Sequence, residues 1–108
     1  MTITLPKIIE TYVLAKNAHD IKNTLACFSK NAVVHDEGQE MRGIKKINEW
    51  LESTTKKYNV HLRPVKIVEK GDETILTTEV SGTFEGSPIE LDFHFTIEYD
   101  KITVLSIH

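Results

Sequence analysis

Between residues 91 and 99 apolar and polar positions alternate without a break. Leu91, Phe93, Phe95, Ile97 and Tyr99 fall on one side, and Asp92, His94, Thr96 and Glu98 on the other. Successive side chains of an extended chain leave opposite faces, so this run predicts a strand with one buried face. Shorter alternations flank it. Residues 59–70 read as a strand interrupted by Pro64, which points to an edge position or a bulge. Residues 74–84 follow the Gly71-Asp72 turn, with Leu76, Thr78 and Val80 opposed to Thr77, Glu79 and Ser81. The segment Glu85-Gly86-Ser87-Pro88 is a further turn, and Asp100-Lys101 connects to a last strand over 102–107.

The first half of the chain carries a helical period instead. Leu5, Ile8, Ile9, Tyr12 and Ala15 form one stripe, with Pro6 suited to a first turn. Asn17-Ala18-His19 breaks the pattern, and Asp20 is placed to cap a second helix bearing Ile21, Leu25 and Phe28. A short strand over 32–36 ends at the turn Glu37-Gly38-Gln39. Gly43 opens a third helix with Ile44, Ile47, Trp50, Leu51 and Thr54 inside and Glu49, Glu52 and Lys56 outside. The expected fold is α+β: a cone of three helices and one short strand (ααβα), packed against a curved four-strand antiparallel meander.

Composition narrows the function classes. A chain of 108 residues is one domain, 1–108, long enough to build a core without staples. Its net charge of -3 and lack of a basic stripe argue against nucleic acid or anionic membrane as partners. No apolar run approaches membrane-spanning length, the first residues carry no h-region, and the single Cys27 fits a reducing compartment, so a cytoplasmic setting is expected. Cys27 reads as a small core residue with no base beside it.

Asp36 and Tyr12 are the candidate chemical groups. A carboxylate at the inner end of a strand can serve as a general base, and a phenol one helix away can donate to a bound carbonyl. Each also has an architectural reading: Asp36 as a turn cap, Tyr12 as an amphipathic core residue with its hydroxyl at the rim. Trp50, Tyr58, Leu76, Val80, Phe93 and Phe95 are expected to wall an apolar cavity. His35-Asp36-Glu37 does not make a metal site, because neighbours on a strand point to opposite faces, and neither metal nor cofactor is expected. His94 is expected to pair across strands with Glu79 or Asp92.

Asp20-Ile21, the run from Phe28 through His35-Asp36-Glu37-Gly38, the segment 43–50 and Gly82-Thr83-Phe84-Glu85-Gly86-Ser87-Pro88 together resemble the nuclear-transport-factor-2-like superfamily, its SnoaL-like branch in particular. The resemblance covers essentially the whole chain. It implies a cone-shaped fold and places Tyr12 at the oxyanion-hole phenol of ketosteroid isomerases, Asp36 at their proton-moving carboxylate and Trp50 at an aromatic pocket position. Two positions depart from that pattern. Phe95 stands where the second oxyanion-hole acid belongs, and Leu51 where a supporting tyrosine belongs, so steroid isomerisation as such is not expected. The resemblance implies a cavity for a small, mostly apolar molecule. The alternative is a cofactor-independent isomerase, cyclase, dehydratase or hydrolase using Asp36 as base and Tyr12 as donor. It also implies a homodimer, formed through the polar outer face of the sheet at Thr77, Glu79, Ser81, Asp92, His94 and Thr96.

Overall fold

The structure, a computed structural model, describes residues 4–108. Helix α1 spans Lys7–Asn17 and α2 Ile21–Leu25; strands β1, Phe28–Asp36, and β2, Gln39–Arg42, precede helix α3, Ile44–Tyr58. Strands β3, His61–Lys70, β4, Glu73–Ser81, β5, Ile89–Glu98, and β6, Lys101–Ile107, complete the chain. The six strands form one sheet in the order β2-β1-β6-β5-β4-β3. All neighbours are antiparallel except β1 and β6, which run parallel with Val34 opposite Leu105. The expected α+β cone is therefore present, with the last strand in sequence lying in the middle of the sheet.

Local chemistry accounts for the helix limits. Pro6 precedes α1, and its carbonyl accepts the Glu10 amide at 2.9 Å. The Asp20 carboxylate accepts the Asn23 amide at 3.1 Å and so caps α2. At the end of α1, the Asn17 side chain donates to the Leu62 carbonyl at 2.9 Å and accepts the Leu62 amide at 2.7 Å. A single side chain thus acts as a strand partner for β3, which lies at the sheet edge.

Three expectations are corrected. Phe28 belongs to β1, which starts four residues before the predicted 32, because α2 ends at Leu25. Residues 39–42 form a strand, β2, where only a turn was expected; Glu37 and Gly38, both at positive φ, make the two-residue hairpin. Tyr99 is 98% exposed and does not line the concave face with Phe93 and Phe95. It sits with Asp100 in a second hairpin whose two central residues both have positive φ, so β5 stops at Glu98. Pro64 lies both on the edge strand and beside a register shift against β4.

The core fills the concavity. Ile9 and Tyr12 from α1, Ile47 and Leu51 from α3, and Val34, Leu76, Phe95, Ile102 and Leu105 from the sheet are buried to 1% exposure or less. At the end of the β4–β5 pair where Val80 lies opposite Ile89, the sheet borders open space instead of packed core.

Candidate functional site

A cavity of about 590 Å³ lies between α1, α3 and the concave face. Leu62, Val80, Leu91 and Phe93 form its sheet wall, Trp50 and Thr54 its α3 wall, and Tyr58, Phe84 and Ile89 its outer part. Tyr12, Lys16, Asp36 and Glu37 contribute polar side chains, with Glu85 and His108 also on the lining.

Of the eight predicted site residues, six meet here: Asp36, Tyr12, Trp50, Tyr58, Val80 and Phe93. Leu76 and Phe95 do not line the cavity. Both point to the concave side but are fully buried, each lying farther along its strand from the open end than Val80 and Phe93 do. The Tyr12 ring also packs edge-on against Phe95, with centroids 5.6 Å apart. These two residues form part of the packed core beneath the cavity.

Asp36 ends β1 immediately before the Glu37-Gly38 turn and is half-buried. Its Oδ2 accepts the Trp50 Nε1 hydrogen at 3.0 Å. Burial raises its proton affinity, opposed by the Trp50 hydrogen bond; the Glu37 charge raises it further, and Lys16 lowers it. Tyr12 is fully buried, and its hydroxyl has no hydrogen-bond partner among the described residues. Burial first, then the charge of Asp36, pushes its ionisation far upward, so the side chain remains a neutral phenol and a donor.

Lys16 was not singled out from the sequence, because a lysine reads as a solvated residue. It is 6% exposed. The signal that locates it is its spacing: Lys16 lies four residues after Tyr12, on the same stripe of α1. Its ammonium stands 5.7 Å from the Trp50 ring centroid. Burial pushes its pKa down to about 8, against the opposing effect of the Asp36 charge.

The outer wall is built from the end of α3. Tyr58 donates from its hydroxyl to Glu37 Oε1 at 3.1 Å and packs edge-on against Phe84 at 5.9 Å. The backbone closes tightly behind this pair, with the Thr83 amide 2.7 Å from the Tyr58 carbonyl. A Cβ on Gly82 would lie 2.4 Å from that same carbonyl oxygen. Glycine at 82 is required by close approach, not by its φ.

Of the histidines, His108 lines the cavity and stacks on His94 with ring centroids 4.3 Å apart. His94 approaches Glu73 Oε1 at 3.3 Å, not the expected Glu79 or Asp92. Glu79 is taken by Arg63 and Asp92 by the Thr77 hydroxyl at 2.7 Å, which leaves the diagonal neighbour Glu73. His35 is exposed, 3.9 Å from Glu40. Cys27 is buried and its thiol pushed upward by burial, as for an inert core cysteine.

A family described as SnoaL-like domain matches residues 9–105. The solved structure of a candidate polyketide cyclase from Sinorhizobium meliloti is 33% identical, with a TM-score of 0.92 over 96% of this chain and 95% of that one. A Catenulispora acidiphila protein with a ketosteroid-isomerase-like fold, solved in complex with trimethylamine, is 20% identical (TM-score 0.84, covering 97% and 86%). A computationally designed binder of 17-OHP is 15% identical (TM-score 0.79, covering 94% and 87%). Among curated proteins no sequence matches.

Proposed function

The chain belongs to the SnoaL-like family, and from that premise we propose that it binds a small, mostly apolar molecule in the cone cavity. One observation carries this reading. A fully buried phenol hydroxyl without a partner among the described residues stands on a mostly apolar cavity of about 590 Å³, beside Lys16 and Asp36. A buried donor left unmade costs about 1–3 kcal/mol, so an oxygen-bearing guest is favoured there. The complex with trimethylamine and the designed 17-OHP binder are cases of the same fold holding small organic molecules, and they support the proposal by analogy.

The sole tryptophan, Trp50, lies on the cavity wall, so its fluorescence reports occupancy. Titration with apolar ketones, esters and matching hydrocarbons should give saturable changes. Tyr12→Phe should weaken the oxygen-bearing compounds about tenfold, the worth of one hydrogen bond, and leave the hydrocarbons unchanged. Absence of any saturable response across the series refutes the cavity reading.

A second reading is favoured by the raised proton affinity of Asp36 on a wall shared with the Tyr12 phenol. In it Asp36 removes a proton from carbon, or activates water, while Tyr12 donates to the developing oxyanion. Phe95 in place of a second donor weighs against keto–enol chemistry, since one such donor is worth about 3 kcal/mol. Deuterium exchange at the α-carbon of a bound ketone, lost in Asp36→Asn with binding retained, is the expected outcome; equal exchange in both proteins rejects Asp36 as that base.

We also propose a homodimer formed through the outer sheet face around Thr77, Glu79, Ser81, Asp92, His94 and Thr96, and residence in the cytoplasm with no nucleic acid or membrane partner. No helix among the described residues is long and apolar enough to cross a membrane. Sedimentation equilibrium at micromolar concentration should give twice the 12.3 kDa chain mass, and a monomer mass throughout rejects the dimer.

A further inference from the structure

We propose that Lys16 is a carbonyl-capturing amine: the cavity takes an apolar aldehyde or ketone and holds it as an imine on Lys16 Nζ. The inference rests on the cavity reading above and adds the chemical class of the guest.

Three observations converge on it. Lys16 is 6% exposed and lines the cavity, and among the described residues its amine makes no hydrogen bond or ion pair. A lysine kept purely for structure is expected to reach water with its ammonium or to meet a carboxylate. This one instead stands against the Trp50 ring at 5.7 Å, in surroundings that favour the uncharged amine. The second observation is the company it keeps. Tyr12, one turn earlier on α1, brings an unpartnered hydroxyl, and Asp36 brings a carboxyl close enough for its charge to bear on the amine. Amine, phenol and carboxyl on one apolar cavity are the groups that carbonyl condensation uses.

The third is availability of the nucleophile. With a pKa of about 8, about a tenth of Lys16 is unprotonated at pH 7. An ordinary lysine, near 10.4, is unprotonated about once in 2,500 molecules. The advantage in free amine is roughly two hundredfold, part of which is returned as lower intrinsic nucleophilicity.

The step balances without any added oxidant or reductant. The Nζ lone pair forms the N–C bond while the carbonyl π pair moves to oxygen, which gains a proton as nitrogen loses one. The carbinolamine hydroxyl then takes a second proton, from the carboxyl of Asp36, and leaves as water while the nitrogen lone pair forms the C=N bond of the protonated imine; loss of the nitrogen proton back to Asp36 gives the neutral imine. Asp36, on the same cavity wall, would carry protons between nitrogen and oxygen, and the Tyr12 hydroxyl would donate to the carbonyl oxygen before attack. In the protonated imine the α-hydrogens are acidified, which would let Asp36 act as base without a second oxyanion donor.

The test is reductive trapping with hexanal and sodium cyanoborohydride at pH 7, read by peptide mass spectrometry. Hydride delivered to the imine carbon leaves a stable secondary amine. Lys16 should be alkylated at least about tenfold faster than any surface lysine, and excess hexan-1-ol, which fills the cavity without a carbonyl, should slow Lys16 alone. Lys16→Arg should lose the cavity adduct while surface labelling continues. Labelling of Lys16 no faster than the surface lysines overturns the proposal, as does labelling that hexan-1-ol does not slow. Hexanal that changes Trp50 fluorescence yet leaves no adduct overturns the imine and leaves the cavity reading standing. Hexanal producing neither signal overturns the imine, while the cavity reading is then decided by its own ligand titration.

Discussion

Lys16 is buried, and its charge weighs on the stability of the fold. Its pKa of about 8 lies below that of the unfolded chain, so its contribution to stability is present above about pH 10.4 and is lost as pH falls through about 8. At pH 7 the charge is a cost. Lys16→Met should therefore stabilise the fold at neutral pH by about 2 kcal/mol, after allowing for loss of the Trp50 contact, and the gain should vanish near pH 11. Thermal denaturation at the two pH values measures it. Asp36 behaves in the opposite sense. Its folded proton affinity is raised, so its contribution is full below the unfolded carboxylate range near pH 4 and is lost as pH rises through the higher folded value. Asp36→Asn keeps an acceptor for Trp50 and should raise the melting temperature at pH 7 with little change at pH 3. A lower melting temperature at pH 7 would mark Asp36 as a turn cap. The two charges also support each other, so Lys16→Met should move the Asp36 carboxyl further upward in an NMR titration.

At the scale of elements, the join between α3 and the end of β4 holds the outer cavity wall in place. The close approach at Gly82 involves a backbone carbonyl, which cannot swing aside as a side chain would. Gly82→Ala should cost about 1–3 kcal/mol and loosen Tyr58 and Phe84, read as a lower melting temperature and weaker ligand binding together. Elements with a strong period were legible in the sequence: β5 from its alternation, α3 from its stripe, the edge position of β3 from Pro64. Strand β2 was not, because Met41 is its only buried residue and a period of two needs at least two. Phe28 continued the helical spacing of Ile21 and Leu25 although the chain had already turned into β1. Asp36, Tyr12 and Trp50 share one cavity, and each ends or interrupts an apolar pattern with a polar atom, the signal that makes them candidates in the sequence. Lys16 was missed because residue type outweighed its place on the stripe. Leu76 and Phe95 were put on the cavity because alternation tells which face a residue occupies but not how far along the cone it lies.

For the whole molecule, the parallel junction between β1 and β6 ties the two halves together. Every strand of the meander reaches β1 only through β6. Leu105, fully buried at this junction, should cost about 2–5 kcal/mol when replaced by alanine, a large share of the 5–15 kcal/mol typical of a domain. Urea denaturation should show one cooperative transition at lower midpoint, with no surviving helical half. The placement of β6 also has a consequence in time. A ribosome delivers the helices and β1 first, yet β1 gains its inner neighbour only when residues 101–107 emerge. Until then the newborn chain holds Val34 and Phe28 beside an unpaired strand edge, the circumstance in which sticky intermediates accumulate. The order of making and the order of assembly are thus reversed for this sheet, and the nascent protein should be most exposed to chaperones and proteases just before its final strand appears.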